Sequence, residues 1–369
     1  MEEKGKKGRM DYTLLLIVVL LVVIGLVILY STSAYNGQVK FHDSFYYLKK
    51  QAFATVLGIV LMLFVAGMDY HIWQRLAVFG YLAAVALSVA VMLFGREING
   101  SKRWLALGPF SFQPSEFAKV ALILFLADLV TKNVKTIGKM WTLCRIMFWI
   151  LPIVGLVGAS NLSTAIIILG IGVILIFVAS PKYAQFALMG IAGACFMGIF
   201  LALESYRLER LAIWRNPEKY EKGYQTLQGL YAIGSGGVFG VGIGNSVQKL
   251  GFVPEAQNDM IFSIICEELG IFGGLIVLML YAYLLYRLFV IAQNAPDMFG
   301  SLLVSGVFVH IALQVIMNVA VVLNIMPNTG VTLPFISYGG TSILFLMAEM
   351  GLALSVARQI KFQEPEFIL

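Results

Sequence analysis

Long apolar stretches separated by short polar segments make up most of this chain. A helix that crosses a membrane needs about 20 mainly apolar residues, and stretches of that kind recur along the whole sequence. The pattern predicts an all-α integral membrane protein, a single polytopic domain over residues 1–369 with a long loop at about 205–259 between helices 7 and 8. We predict ten membrane-spanning helices, at residues 12–32, 52–68, 72–94, 115–131, 141–158, 161–180, 184–204, 260–286, 299–324 and 339–358.

The composition agrees with a membrane protein and excludes several other classes. Hydrophobic residues make up 60% of the 369 positions, charged residues only 12%, and the mean hydropathy is +0.87. Soluble domains carry about 25% charged residues, so this chain is neither a soluble globule nor a disordered protein. The basic residues behind the net charge of +6 are scattered over loops, which excludes a nucleic-acid-binding face. Three cysteines and three histidines, all far apart, form neither a disulfide framework nor a metal-binding motif.

Basic residues in the short loops indicate the orientation, because cytoplasmic loops of membrane proteins carry an excess of Lys and Arg. A cytoplasmic N-terminus places the larger share of these residues inside, including the cluster at 4–9. We therefore expect both termini in the cytoplasm and the odd-numbered loops outside. Those outer loops hold nearly all the unusual motifs. Any chemistry would then occur on the outer face, where an activated substrate must arrive on a lipid carrier or from the medium.

The third loop holds the first group of candidate binding residues. Glu116 and Lys119 lie one helical turn apart, which fits either an internal ion pair or a polar cavity at the outer membrane boundary. Lys102, Arg103 and Lys119 together are candidates to hold a phosphate or diphosphate group. Trp104 is either an interface anchor or a platform for a sugar. The candidate substrate-binding residues of this loop are Lys102, Arg103, Trp104, Gln113, Ser115, Glu116 and Lys119.

The end of the seventh loop holds a polar cluster before the eighth helix. Asp259 precedes an almost wholly apolar helix start, so it is either a helix N-cap or a functional carboxylate. Glu255 and Asn258 crowd the same turn, and at 100° per residue Glu267 can share the face of Asp259. A cap needs only one acceptor, so the cluster favours a functional site. Asp259 is the catalytic candidate, and Lys249, Glu255 and Asn258 are binding candidates.

Two further segments are irregular. The glycine-rich residues 234–244 form either a backbone nest for an anion or, as we favour, a tight turn beside helices. Residues 326–341 are too apolar for a free loop, so they line a cavity or pack inside the protein. Within them, Ser337 and Tyr338 can donate to a polar ligand. Glu349 lies in the middle of the last helix, where we favour a hydrogen bond between helices.

Several of these motifs together resemble the SEDS family of bacterial shape, elongation, division and sporulation proteins, which includes FtsW, RodA and SpoVE. The similarity covers the whole chain in the family's order, and the run 245–249 is more similar to the FtsW and SpoVE branch than to the RodA branch. One segment departs from the family pattern, since residues 160–164 contain neither an acid nor a proline. The resembling motifs are Gly100–Leu105, Phe112–Glu116, Gly234–Gly240, Pro254–Asp259, Glu267–Gly270 and Leu333–Gly340.

The resemblance implies a peptidoglycan glycosyltransferase that polymerises lipid II into β-1,4 glycan strands at the outer face of the bacterial cytoplasmic membrane. It also implies a class B penicillin-binding transpeptidase as partner and a role in cell division, sporulation or cell shape. Family members use a loop aspartate as the catalytic residue, and the motif match carries that role onto Asp259. No organic cofactor is implied, and binding of Mg²⁺ or Mn²⁺ at Asp259 stays open. The alternatives are a lipid II flippase and a non-catalytic scaffold for the transpeptidase.

The chemistry of lipid II agrees with a single catalytic carboxylate. Glycoside hydrolases normally need a second carboxyl group to protonate a poor leaving group. Lipid II leaves as a lipid diphosphate, whose negative charge needs neutralisation and not a proton. One general base is then enough, and cationic side chains or a divalent cation would hold the diphosphate. Because the donor sugar is α-linked and the product β-linked, we expect an inverting reaction.

Overall fold

The computed structural model describes residues 10–98, 101–107, 110–182, 184–186, 190, 193 and 211–360. Within these ranges the chain is almost entirely helical, as the hydrophobic pattern predicts. The helices of 13 residues or more are α1 (Tyr12–Phe41), α2 (Tyr46–Gly67), α3 (Tyr70–Phe94), α4 (Pro114–Asn133), α5 (Met140–Ser160), α6 (Leu162–Ala179), α7 (Tyr224–Gly236), α8 (Ile261–Gln293), α9 (Met298–Val322) and α10 (Gly340–Ala357).

Among the described helices, eight are long and apolar enough to cross a membrane, namely all except α4 and α7. This result confirms an all-α, multi-pass membrane protein. The fourth predicted span is present as α4, but 14 of its 20 residues are buried against other helices, chiefly α3, α6 and α9. The seventh predicted span, at 184–204, lies almost entirely outside the described residues.

Several helices begin at residues whose side chains accept a hydrogen bond from the first turn. The carboxylate of Asp11 accepts from the Leu14 N–H at 2.9 Å, and that of Asp297 accepts from the Gly300 N–H at 2.8 Å. These bonds satisfy N–H groups that have no partner inside the helix. The N-terminal starts of α1 and α9 are therefore determined by the local sequence.

The third loop contains a small antiparallel sheet that the sequence analysis did not predict. Its three strands are β1 (Arg96–Ile98), β2 (Ser101–Leu107) and β3 (Phe110–Phe112), in the order β1-β2-β3. Strand β2 packs against α3, α4 and α5. Such short strands carry too little alternation to be distinguished from an irregular loop.

Helix α8 is interrupted at Gly270, whose φ is 72°. A helix of 33 residues would extend for about 50 Å, longer than the hydrocarbon core of about 30 Å. The segment 237–242 lies beside the interruption and supplies the missing hydrogen bonds. The Val241 N–H donates to the Glu267 carbonyl at 3.0 Å, and the Phe272 N–H donates to the Val238 carbonyl at 3.1 Å.

The glycine-rich run serves this close backbone contact. A Cβ on Gly240 would lie 2.2 Å from the Glu268 carbonyl oxygen, and one on Gly270 would lie 2.3 Å from the Val238 carbonyl oxygen. Both glycines also have positive φ, which side chains disfavour. The favoured interpretation, a tight turn beside helices, is therefore confirmed.

A glycine also brings α1 against the 323–339 loop. A Cβ on Gly25 would lie 2.6 Å from the Phe335 carbonyl oxygen and 2.8 Å from the Ile336 Cα. We expect Gly25→Ala to destabilise the protein by about 1–3 kcal/mol, because a methyl group must be forced into a packed backbone contact. Thermal unfolding in detergent measures this loss. Gly155→Ala is the matched control, since a Cβ there meets nothing within 4 Å. Equal stability of the two variants would contradict the prediction.

Candidate active site

Asp259 lies in the turn immediately before α8 and does not cap that helix. The N-cap position of α8 is Met260, which makes no side-chain capping bond. The Asp259 side chain is partly buried. The capping interpretation of Asp259 is therefore wrong, and its carboxylate is available for another role.

Three elements meet around Asp259. From α7, Gln225 donates through Nε2 to the Asp259 Oδ1 at 3.4 Å. The Nδ2 of Asn328 in the 323–339 loop donates to the Gln225 Oε1 at 3.1 Å. From α9, the Asn318 Nδ2 donates to the Asp259 main-chain carbonyl at 2.8 Å. A Cβ on Gly330, where φ is +68°, would lie 3.9 Å from the Asp259 Oδ2. The side chain and the main chain of Asp259 are thus held separately.

The surroundings of Asp259 favour its protonated form more than water does. The pKa of this carboxyl group is raised to about 6, chiefly by burial and also by the negative charge of Glu255, against the lowering effect of hydrogen bonds from the backbone and from Gln225. A carboxylate with a pKa near the operating pH is suited to general-base catalysis, because it is mostly ionised at pH 7 and still basic enough to accept a proton.

Glu255 and Asn258 lie in the same turn, as the sequence predicts. The Asn258 Nδ2 donates to the Glu255 Oε2 at 2.7 Å, and the Lys40 Nζ lies 3.9 Å from the Glu255 Oε1. Among the described residues, the Asn258 Oδ1 has no hydrogen-bond partner although it is buried. Both side chains therefore shape the turn.

Glu116 and Lys119 form a buried ion pair with 2.9 Å between the Lys119 Nζ and the Glu116 Oε1. Glu116 is 7% exposed and Lys119 is 2% exposed. The Lys119 Nζ also lies 3.5 Å from the Gln314 Oε1, and the Gln314 Nε2 donates to the Thr332 carbonyl at 3.0 Å. Through Gln314, the ion pair is thus connected to the 323–339 loop. Of the two interpretations, the geometry matches the internal ion pair and not an open cavity.

Arg103 and Ser115 lie together at a different place. Both line a small cavity of about 10 Å³ that also includes Ser160 and Asn161, which is room for about one water molecule. The Arg103 Nε donates to the Ser160 carbonyl at 3.0 Å. Arg103 is half-buried, and it fixes the β-sheet to the junction of α5 and α6. The cavity is too small for a diphosphate, so Arg103 would have to bind one from outside it.

The remaining candidates of the third loop are Trp104, Lys102 and Gln113. Trp104 is half-buried and pairs with Arg96 in the sheet. Lys102 pairs with Glu97 through the backbone, and its side chain lies outside the described residues. Gln113 is the N-cap residue of α4 and makes no side-chain capping bond, so its amide is not committed to that helix.

Lys249 has a different role from the predicted one. Its Nζ lies 2.7 Å from the Glu268 Oε1 and 2.9 Å from the Ser31 Oγ, and all three side chains are buried. The neighbouring Glu267 accepts from the Ser246 Oγ and from the Val247 N–H. These acids therefore fix the segment 245–250, and Glu267 does not belong to the Asp259 cluster.

Ser337 and Tyr338 are also engaged in local contacts. The Ser337 Oγ accepts from the Leu333 N–H at 2.8 Å, and the Tyr338 N–H donates to the Gln257 carbonyl at 2.9 Å. The Tyr338 ring packs edge-on against Tyr47, with 5.0 Å between the ring centroids. Burial raises the pKa of the Tyr338 hydroxyl to about 12, so this group stays protonated and able to donate.

Glu349 makes the expected bond between helices. Its Oε2 lies 2.8 Å from the Nδ1 of His310 on α9, and both side chains are buried. The prediction of an interhelical hydrogen bond is confirmed. The bond joins α9 to α10 in the middle of the bundle, away from the Asp259 turn.

Three amides around Asp259 were not predicted from the sequence, namely those of Gln225, Asn318 and Asn328. Gln225 and Asn328 lie in loops or short helices with no periodic signal. Asn318 could have been found, because His310, Gln314 and Asn318 recur every four residues and form a polar stripe on an otherwise apolar helix.

A metal at Asp259 stays a prediction. Among the described residues, no three His, Cys, Asp or Glu side chains form a group that could hold an ion. Glu255 is the acid whose charge acts on the Asp259 carboxyl group. Magnesium commonly binds one or two carboxylates together with water and substrate phosphates, so Asp259 and Glu255 are the side chains that would hold an ion here.

Known relatives cover nearly the whole chain. It is 38% identical to the stage V sporulation protein E of Bacillus subtilis (strain 168), over 97% of this chain and 99% of that one. It is 33% identical to a probable peptidoglycan glycosyltransferase FtsW of Saccharophagus degradans, over 97% of this chain and 95% of that one.

Solved structures give the same result. One chain, from a study of how a peptidoglycan synthase complex coordinates polymerization and crosslinking, matches with a TM-score of 0.81 and 31% identity over 95% of this chain and 98% of that one. The rod shape determining protein RodA of Thermus thermophilus matches with a TM-score of 0.71 and 29% identity over 96% and 98%. The family model described as cell cycle protein, which covers FtsW, RodA and SpoVE, matches residues 12–362. This chain therefore belongs to the FtsW/RodA/SpoVE family, the SEDS proteins.

Proposed function

We propose that this protein is a peptidoglycan glycosyltransferase that polymerises lipid II, with Asp259 as the general base. The observation that carries the proposal is the Asp259 carboxylate itself. It caps no helix, it is held by Gln225, and its pKa is raised to about 6. The relatives named as peptidoglycan glycosyltransferases support the reaction class.

In the proposed reaction, the ionised Asp259 carboxylate takes the proton from the 4-hydroxyl of the acceptor sugar. The hydroxyl oxygen attacks the anomeric carbon of the donor sugar as the bond from that carbon to the diphosphate breaks. A new β-1,4 bond forms, the proton remains on Asp259, and the electron pair leaves with the lipid diphosphate. Attack from the face opposite the leaving group inverts the α-linked donor.

The charge of the leaving diphosphate must be neutralised. Lys102 and Arg103 are the candidates in the third loop, since the ammonium of Lys119 already pairs with Glu116. A divalent cation, Mg²⁺ or Mn²⁺, held by Asp259 and Glu255 would supply electrostatic stabilisation of the leaving group when bound. The proton transfer to Asp259 is carried by this chain's own residues.

The proposed reaction also bears on the orientation of the protein in the membrane, its partner and its cellular role. The excess of basic residues in the predicted cytoplasmic loops favours both termini inside and Asp259 outside. A polymerase on the outer face needs an enzyme that crosslinks its strands, and we propose a class B penicillin-binding transpeptidase as that partner. The similar chain in a peptidoglycan synthase complex supports this pairing. The similarity to a sporulation protein and to FtsW proteins favours a role in sporulation or division.

The test is polymerisation in detergent, where there is no membrane to cross. Purified protein with its transpeptidase partner and lipid II should make glycan polymer, and Asp259→Ala should make none while remaining folded by thermal unfolding. If folded wild-type protein makes no polymer, the transferase proposal fails and the flippase alternative gains. If Asp259→Ala complements a deletion strain, the scaffold alternative gains.

A further inference from the structure

Helix α9 carries a buried polar stripe that ends beside Asp259. His310, Gln314 and Asn318 follow one another at intervals of four residues and so lie on one face. They are 2%, 2% and 1% exposed. His310 bonds to α10, Gln314 bonds to the Thr332 carbonyl, and Asn318 reaches the turn before α8.

Asn318 joins two backbone segments through one amide nitrogen. Its Nδ2 donates to the Asp259 carbonyl at 2.8 Å and to the Val331 carbonyl at 2.7 Å. An amide nitrogen has two hydrogens, so both are used. The opposite assignment of the amide would place its oxygen against two carbonyl oxygens, which is repulsive. Among the described residues, the Asn318 Oδ1 has no hydrogen-bond partner, so the two donated bonds fix this side chain.

The first of these bonds holds the main chain of Asp259 at 2.8 Å, and the second ties the same amide to residue 331 at 2.7 Å. The Gln225 contact to the carboxylate is longer, at 3.4 Å, and the N-cap residue Met260 makes no side-chain capping bond. We infer that Asn318 is a positioning residue for the transferase reaction, which fixes the Asp259 turn against residue 331 so that the carboxylate meets the acceptor hydroxyl. The inference rests on the proposed function of Asp259.

The size of the effect follows from how sharply catalysis depends on geometry. A misplacement of about 1 Å can lower a rate by about 100-fold. Loss of the two donors also leaves a buried carbonyl at Val331 and a partly buried one at Asp259 without these bonds, which is unfavourable, and the turn would shift to satisfy them. Substrate contacts made elsewhere would persist. We therefore expect kcat to fall and KM to stay nearly unchanged.

The experiment compares three variants in detergent with lipid II and the transpeptidase partner. Asn318→Leu removes both donors and keeps the branched shape of the side chain, and Asn318→Asp places an oxygen against the two carbonyls at similar volume. Asn318→Gln keeps both donors on an arm one methylene longer. Asn133→Leu is the matched control, because the Asn133 Nδ2 also donates to a carbonyl, that of Leu129 at 2.8 Å, at the other end of α4 from Glu116. The readouts are kcat, KM for lipid II and the unfolding temperature.

We expect kcat to fall by about 10- to 100-fold in all three Asn318 variants, with KM within about twofold and Asn133→Leu at wild-type rate. At least Asn318→Gln should keep an unfolding temperature close to that of Asn133→Leu. Wild-type kcat in folded Asn318 variants, with Asp259→Ala inactive, would overturn the positioning role alone. A fall in kcat matched by a fall in unfolding temperature in every variant would also overturn it. Wild-type activity of Asp259→Ala would instead overturn the proposed function.

Discussion

Asp259→Asn should lower the kcat for lipid II polymerisation by about 10²–10⁴-fold, the range in which general bases contribute. The amide has the shape of the carboxylate and can keep an oxygen for the bond from Gln225, but it cannot accept a proton. We therefore expect KM to change by less than about twofold, since binding contacts are retained. The measurement is lipid II consumption by purified protein with its partner at pH 8.

The pH dependence of the wild-type rate is an independent test of Asp259 as the general base. Because the pKa of Asp259 is raised to about 6, the base is ionised above that pH and protonated below it. The kcat/KM should be constant from about pH 7 to 8 and fall about tenfold for each pH unit well below 6. The residual rate of Asp259→Asn should lack this dependence. A wild-type profile that stays flat down to pH 4 would contradict the role of Asp259 as base.

Stability provides the control for both measurements. Burial raises the pKa of Asp259 above its unfolded value of 3.8, so the folded state disfavours the ionised form. The native protein therefore binds more protons than the unfolded chain between pH 4 and 6, and stability falls as pH rises through that window. At pH 7, Asp259→Asn should be more stable than wild type by about 1–3 kcal/mol. An inactive variant that is more stable cannot owe its inactivity to unfolding.

The helices could be predicted because each one is a long apolar stretch, and the physical requirement for crossing a membrane is strong and local. Helix α4 shows the limit of that reasoning. Its apolar pattern predicts a span, but Glu116 and Lys119 within it are buried as an ion pair, and only the packing of α3, α6 and α9 around it explains why.

The catalytic candidate Asp259 could be predicted from the sequence, but the amide side chains that surround it could not. Asp259 belongs to a dense polar cluster at a helix start, which marks it in the sequence. Gln225, Asn318 and Asn328 come from three separate elements, and their convergence is a property of the tertiary structure. Lys249 illustrates the converse error, because a lysine in a polar loop looks free until its buried partner on α8 is known.

Lys249→Met should destabilise the protein by about 3–5 kcal/mol, the usual consequence of leaving one member of a buried ion pair without its partner. The Lys249 Nζ lies 2.7 Å from the Glu268 Oε1, and the two side chains are 7% and 0% exposed. In the variant, the Glu268 carboxylate keeps, among the residues that the structure describes, only the hydroxyl of Ser31 as a donor. Thermal unfolding of the purified protein in detergent measures the loss.

A second pair provides the control for this prediction. Lys49 and Asp43 have nearly the same separation, 2.8 Å, but their side chains are 69% and 35% exposed. Exposed pairs contribute about 0–1 kcal/mol because water screens the charges, so Lys49→Met should be close to wild type. The double variant Lys249→Met/Glu268→Gln should recover part of the loss, since no unpaired charge is left buried. Equal stability of Lys249→Met and Lys49→Met would show that Glu268 is not sealed from water, and the segment 245–250 would then need another anchor.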